Sequence, residues 1–123
     1  MATKKLTKKV ERAIKKSTTE TQKLCFALQG QGVKALIDFF DGYKHIDIAI
    51  PEAKLNIEVD RVHHNINSKK ALSNLKRTYS SFKNGYFTLR IPNSLVRNNF
   101  KECVDLVMEI VKENKIYITH GVI

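Results

Sequence analysis

Ile46-Asp47-Ile48-Ala49-Ile50-Pro51-Glu52-Ala53-Lys54-Leu55-Asn56-Ile57-Glu58-Val59-Asp60 decides the fold. Ile46, Ile48 and Ile50 alternate around Asp47, a period of two that marks a strand. Pro51 ends it, because proline has no N–H to give to a ladder. The four residues from Pro51 to Lys54 suffice only for a turn. Beyond them Leu55, Ile57 and Val59 share one face of a second strand and Asn56, Glu58 and Asp60 the other, with the Glu58 and Asp60 side chains roughly 7 Å apart at strand rise. An antiparallel return through so short a turn sets Asp47 beside Glu58 on one face of the sheet.

Working outward, Val33, Ala35, Ile37 and Phe39 alternate with Lys34, Leu36 and Asp38 up to a turn at Asp41 and Gly42, giving an earlier strand. Before it, Leu24, Cys25 and Leu28 form one helical face. Ser17 with Glu20 has the capping-box pattern that opens this helix, and Gly30 and Gly32 close it. Residues 3–16 set Lys4, Lys5, Lys8, Lys9, Arg12, Lys15 and Lys16 around a thin stripe of Leu6, Val10, Ala13 and Ile14, the pattern of a basic amphipathic helix. Downstream, a polar loop over 63–68 leads into a helix marked by Leu72, Leu75, Tyr79 and Phe82 and ended by Gly85. Phe87, Leu89 and Ile91 alternate with Tyr86, Thr88 and Arg90 in a fourth strand closed by Pro92. A last helix is expected from about Ser94 to Asn114, with Phe100, Val104, Val107, Met108 and Val111 inside, and residues 116–118 read as a short extra strand. The expectation is an α/β chain with a basic helix over 1–16 and a single domain over 17–123. Three closely joined strands followed by a helical crossover make its sheet mixed, with helices on its faces.

The chain has 123 residues, enough for one core. Its 22 Lys and Arg against 12 Asp and Glu give a net charge of +10, a field that attracts polyanions and puts nucleic acid first among partners. Apolar residues make up 42%, an ordinary globular share, so wholesale disorder is excluded. No apolar run reaches the ~18 residues that span a bilayer, and the basic N-terminus lacks the apolar core of a signal peptide, so the expected setting is intracellular, cytoplasmic or nucleoid-associated, with no membrane. Cys25 and Cys103 stand alone in apolar helical contexts with no metal-ligand spacing and read as reduced core residues.

In so basic a chain the acids in strands stand out, since strands disfavour Asp and a buried carboxylate needs a partner. Two readings follow for Asp47 and Glu58. They form the solvated face of a hairpin paired with lysines, or they hold Mg²⁺, which takes hard oxygen ligands and often uses one or two carboxylates with water and phosphate. His63 and His64 follow where the strand runs out: a surface pair, or imidazoles in reach of a phosphate. Tyr43 and Tyr86 pack in the hairpin or core, or stack on bases.

The same residues resemble the small endonuclease-like proteins related to very short patch repair endonucleases, within the PD-(D/E)XK nuclease superfamily. The shared features are the Asp47 strand, the Pro51-Glu52-Ala53-Lys54-Leu55 turn, Ile57-Glu58-Val59-Asp60, His64, and then Arg77, Gly85, Tyr86, Leu89 and Arg90. The resemblance runs from about Thr18 to Asn114. Arg61 stands in place of a usual Gly, His63 of a frequent Gln, Asn74 of an Asp and Ser81 of a Leu. It implies a restriction-endonuclease-like αβββαβ core: a mixed four-stranded sheet flanked by helices, here with a basic N-terminal and a C-terminal helix. It also implies metal-dependent hydrolysis of DNA. On that footing Asp47 is the principal Mg²⁺ ligand, with Mn²⁺ as a substitute ion. Glu58 is the second acid, Asp60 an additional one, and Val59 offers its carbonyl. His64 is the assisting imidazole, and Glu20 the acid that sometimes completes such a site. Lys8, Lys9, Arg12, Arg61, His63, Lys69, Lys70, Lys76, Arg77 and Arg90 are the expected DNA contacts, Arg77 and Arg90 alternatively bracing the acids. Double-strand cutting by a single-site nuclease further suggests a homodimer. The alternative is a non-catalytic nucleic-acid-binding module on a degenerate nuclease core, with Arg61 filling the site.

Overall fold

The computed structural model describes residues 7–9, 11–12, 17–61 and 67–121. Residues 8, 9, 11 and 12 are helical. The order that follows is α1 (Thr19–Gly30), β1 (Leu36–Phe40), β2 (His45–Ile50), a 3-10 turn (Pro51–Ala53), β3 (Leu55–Asp60), α2 (Ser68–Lys83), β4 (Phe87–Pro92), α3 (Asn93–Asn98) and α4 (Phe100–Thr119). The four strands form one sheet in chain order, β1 and β3 antiparallel to β2, and β4 parallel to β3 after the α2 crossover.

The hairpin expected from residues 46–60 forms. Ile48 pairs with Ile57, Ala49 with Asn56 and Ile50 with Leu55. Pro51 begins the 3-10 turn, and Lys54 closes it in the left-handed region at φ 47°. On one face of the sheet Ile48, Ile50, Leu55, Ile57 and Val59 pack with Leu24, Cys25 and Leu28 of α1 and Val104, Val107 and Val111 of α4. Each such aliphatic side chain contributes about 1.5–3 kcal/mol by leaving water. Cys25 and Cys103 are free and buried in this layer, as expected, and burial pushes the Cys25 thiol up to about 11.

Three details depart from the sequence expectation. The α1 cap is Thr18, not the expected Ser17, and its hydroxyl accepts from the Thr21 N–H. The first strand starts at Leu36, leaving Val33 and Ala35 buried just ahead of it. The last helical segment is two helices, and residues 116–118 continue α4 instead of forming a strand. Asn114 Nδ2 donates to the Ala53 carbonyl, tying α4 to the turn and carrying the helix past the point where Ile116 and Ile118 alternate.

Helix α2 is present as expected and capped by Asn67, with its polar stripe turned to the protein. Asn74, Arg77, Thr78 and Ser81, spaced i, i+3, i+4 and i+7, form the side facing the protein, while Leu72, Leu75, Tyr79 and Phe82 are exposed. Among the described residues no helix is long and apolar enough to cross a membrane.

Candidate metal and nucleic-acid site

The site forms where the sheet ladder opens. Ladder pairing between β2 and β3 stops at Ile48 and Ile57, which makes Asp47 and Glu58 the next facing positions. There the Val59 N–H donates to Asp47 Oδ2 at 2.9 Å, so a side-chain carboxylate accepts where a backbone carbonyl would in a continuous ladder. A strand turns the N–H and C=O of one residue to the same side, so the Val59 carbonyl also faces β2. Glu58 is paired in register with Arg90 on β4. On the other side, Asp38 falls opposite Asp47, between the pairs Ile37 with Ile48 and Phe39 with Ile46. One row across four strands thus reads Asp38, Asp47, Glu58, Arg90.

Asp38 does not complete a group of three acids. Its backbone is left-handed, φ 48°, a conformation Asp tolerates better than most residues. Its carboxylate meets His45 Nδ1 at 3.2 Å. The acids left facing each other are Asp47 and Glu58.

Glu58 is only 7% exposed. Burial first, and then the neighbouring Asp47 carboxylate, push its pKa up to about 7, against the pull of Arg77 and Arg90. Arg77 Nη2 lies 3.3 Å from Glu58 Oε1 and donates to the His45 carbonyl at 3.0 Å, bridging β2 and β3 from α2. Arg90 contacts Asp60 at 3.5 Å and is itself held by Thr78 Oγ1 at 3.0 Å and the Asn74 carbonyl at 3.2 Å. The polar inner face of α2 therefore carries Arg77 and backs Arg90. Of the two roles expected for Arg77 and Arg90, these contacts are those of braces.

The other expected site residues divide. Asp60 stands at the end of β3 beside Arg90. Arg61 is exposed and makes no ion pair among the described residues, so it does not fill the acid site. Glu20 is taken up elsewhere: its Oε1 receives Arg97 Nε at 3.1 Å and Nη2 at 2.9 Å, which ties α1 to α3. With its own backbone N–H leading and Arg97 next, these contacts hold Glu20 below the usual carboxylate range. His63 and His64 lie outside the described residues. Lys9 and Arg12 line a cleft of about 480 Å³ against β1, together with Phe40 and His45. Lys8, Lys69, Lys70 and Lys76 are exposed. Tyr43 is exposed with Lys44 Nζ 5.6 Å from its ring centre, and half-buried Tyr86 lines a second cleft with Phe39, Asn56 and Ser81.

Among the described residues no group of three or more His, Cys, Asp or Glu surrounds a common point. Two facing carboxylates, one buried and burdened by the other's charge, are still a fitting donor set for a hard cation that keeps several waters. Sequence reasoning missed Thr78 and the Asn74 carbonyl behind Arg90, and the Asp38–His45 pair. The first had a signal in the polar i, i+3, i+4, i+7 stripe of α2; the second depends on a left-handed backbone that no spacing announces.

No family model matches the chain, and no curated protein matches its sequence. Among solved structures it is similar to the catalytic domain of the homing endonuclease I-Bth0305I, with a TM-score of 0.63 and 17% identity over 85% of this chain and 98% of that one. The chain has the restriction-endonuclease-like fold: an αβββαβ core with a mixed four-stranded sheet flanked by helices.

Proposed function

We propose that this protein is a metal-dependent DNA endonuclease of the kind related to very short patch repair endonucleases, with Asp47 and Glu58 as the Mg²⁺ ligands and Val59 C=O as a third donor. The observation that carries this reading is the Asp47–Glu58 pair. In a nuclease-like core, two carboxylates face each other where the ladder opens, one buried with its proton affinity raised. Two carboxylates held against each other, one of them buried and only partly offset by Arg77, are costly for a fold to keep, and a divalent cation is a partner that relieves both charges. Mg²⁺ bound there would supply an activated water and offset the charge on the attacked phosphate. The chain's own residues do the rest. The Val59 N–H fixes the Asp47 carboxylate, Arg77 fixes Glu58, and Arg90 holds Asp60 at the strand end. Lys8, Lys9, Arg12, Arg61, Lys69 and Lys70 give sequence-independent attraction for the phosphate backbone. His64 is the proposed assisting imidazole.

The second reading is a DNA-binding module without catalysis. Its support is that Arg77 already meets Glu58 and Arg90 meets Asp60. Incubation with supercoiled plasmid in Mg²⁺ or Mn²⁺ decides between the two. Nicking that disappears in Asp47→Ala and in EDTA but persists in Lys101→Ala, a surface lysine paired with Asp105, is the expected result. DNA binding with a steep salt dependence and no nicking of supercoiled, mismatched or branched substrates in either ion leaves only the binding module.

A further inference from the structure

Helix α2 presents an apolar seam to solvent. Leu72 is 52% exposed, Leu75 65%, Tyr79 60% and Phe82 71%. Their spacing of three, four and three residues is that of the a and d positions of a heptad, a narrow line about 15 Å long at 1.5 Å per residue. Lys69, Lys76 and Lys83 then occupy the successive e positions along one edge. None of these lysines has a carboxylate partner among the described residues; Lys83 Nζ instead sits 5.5 Å from the Tyr79 ring centre. The helix contains no acidic residue.

From this seam we infer that α2 docks an acidic amphipathic helix of another protein, its leucine-type a and d residues against Leu72, Leu75, Tyr79 and Phe82 and its glutamates against the lysine row. Charge selects the occupant. Two copies of this chain meeting antiparallel across a two-fold axis would set lysine row against lysine row, within a molecule already at +10. Width argues against a lipid surface, because an interfacial helix buries a broad apolar face and this one is a two-in-seven line between Ser73, Thr78 and Ser80. The orientation of the helix explains why the seam is free: Asn74, Arg77, Thr78 and Ser81 are needed on the inner side to hold Arg90, meet Glu58 and satisfy the buried Asn56. The seam does not depend on the nuclease reading.

The probe is a fluorescent three-heptad peptide with Leu at a and d, Glu at e and g and Ala elsewhere, whose glutamates discourage self-pairing. The control carries Lys in place of Glu. The expected result is micromolar binding of the Glu peptide by the full chain, weakening with salt. It falls at least tenfold in Leu75→Ser/Tyr79→Ser and in Lys76→Glu, but is unchanged in Leu106→Ser, another exposed apolar residue. Melting curves confirm that the variants stay folded. The inference is overturned by equal binding of the Lys peptide or by indifference to the α2 substitutions. It is likewise overturned by a chain dimer that those substitutions split, or by duplex DNA or phosphatidylserine vesicles whose own binding is lost in Leu75→Ser/Tyr79→Ser.

Discussion

The Val59 N–H donates to Asp47 Oδ2 at 2.9 Å, and this one bond both ends the β2–β3 ladder and aims the carboxylate. Replacing the acid by an amide of the same shape separates the two consequences. Asp47→Asn keeps a carbonyl oxygen for the Val59 N–H and removes the negative charge beside Glu58. Its metal-free melting temperature at pH 8 should equal or exceed that of the parent, while plasmid nicking drops at least about 100-fold, as expected for a lost ion ligand. Asp47→Ala also loses the acceptor and should be about 1–2 kcal/mol less stable than Asp47→Asn. Parent-level nicking by the amide variant would remove Asp47 from the proposed chemistry.

The raised pKa of Glu58 makes the stability of the metal-free protein depend on pH in a definite direction. In the folded chain Glu58 holds its proton up to about 7, whereas its ordinary value is 4.5. Between these values the unfolded chain binds fewer protons, so stability falls as pH rises from about 4.5 through about 7 and is flat above. The whole effect is on the order of 3 kcal/mol at ~1.4 kcal/mol per pKa unit. Glu20 and Glu52 are shifted downward, by the Glu20 backbone N–H and the Lys34 N–H first, and act only at lower pH. Glu58→Gln should therefore flatten the melting temperature between pH 5 and pH 8. On the proposed metal site, Mg²⁺ should stabilise the parent more at pH 8 than at pH 5, because binding there would require the ionised pair. A parent and Glu58→Gln with the same pH slope would contradict the assignment.

The hairpin from Ile46 to Asp60 was legible because its two periods of two and its Pro-led turn are local, and register then follows from the turn. That is why the sequence alone sets Asp47 and Glu58 face to face. The spacing of Leu72, Leu75, Tyr79 and Phe82 was equally legible as a helix, but periodicity reports a stripe and not the direction it faces. The direction is set by what lies on the sheet. Glu58, Asp60 and Asn56 require polar partners, so Arg77, Thr78 and Ser81 take the inner side. Ile116 and Ile118 misled for the opposite reason: three residues of alternation carry less weight than sixteen residues of helix already running toward them and an Asn114 bond that fixes it. Glu20 shows the limit of reading an acid's role from its position, since its carboxylate answers to Arg97, 77 residues away.

The orientation of α2 yields a stability contrast. Leu72→Ser, Leu75→Ser and Phe82→Ser alter side chains already in water and should each change unfolding free energy by no more than about 0.5 kcal/mol. Ile57→Ala and Leu24→Ala, both fully buried, should each cost about 2–5 kcal/mol through lost transfer energy and a cavity. Urea unfolding at one pH measures all five. A loss above about 2 kcal/mol in Leu75→Ser would show that the stripe is covered in solution.

Arg77 joins the stability and the chemistry of the site. Arg77→Gln removes the charge that pulls the Glu58 pKa down, so the proton on Glu58 persists to still higher pH. It also removes the bond to the His45 carbonyl, a loss felt equally at every pH. Since the Arg77 side chain is partly open to solvent, the charge-dependent share is modest, about 1 kcal/mol. The variant should be destabilised more at pH 8, where the parent's Glu58 is ionised beside its arginine, than at pH 5, where it carries a proton in both. Nicking at pH 7 should fall roughly 10–100-fold and recover partly as pH is raised, the sign expected when the lost group lowered the pKa of a ligand that must be ionised. Equal destabilisation at the two pH values, with nicking that does not recover, would mean that Arg77 acts through the His45 carbonyl alone.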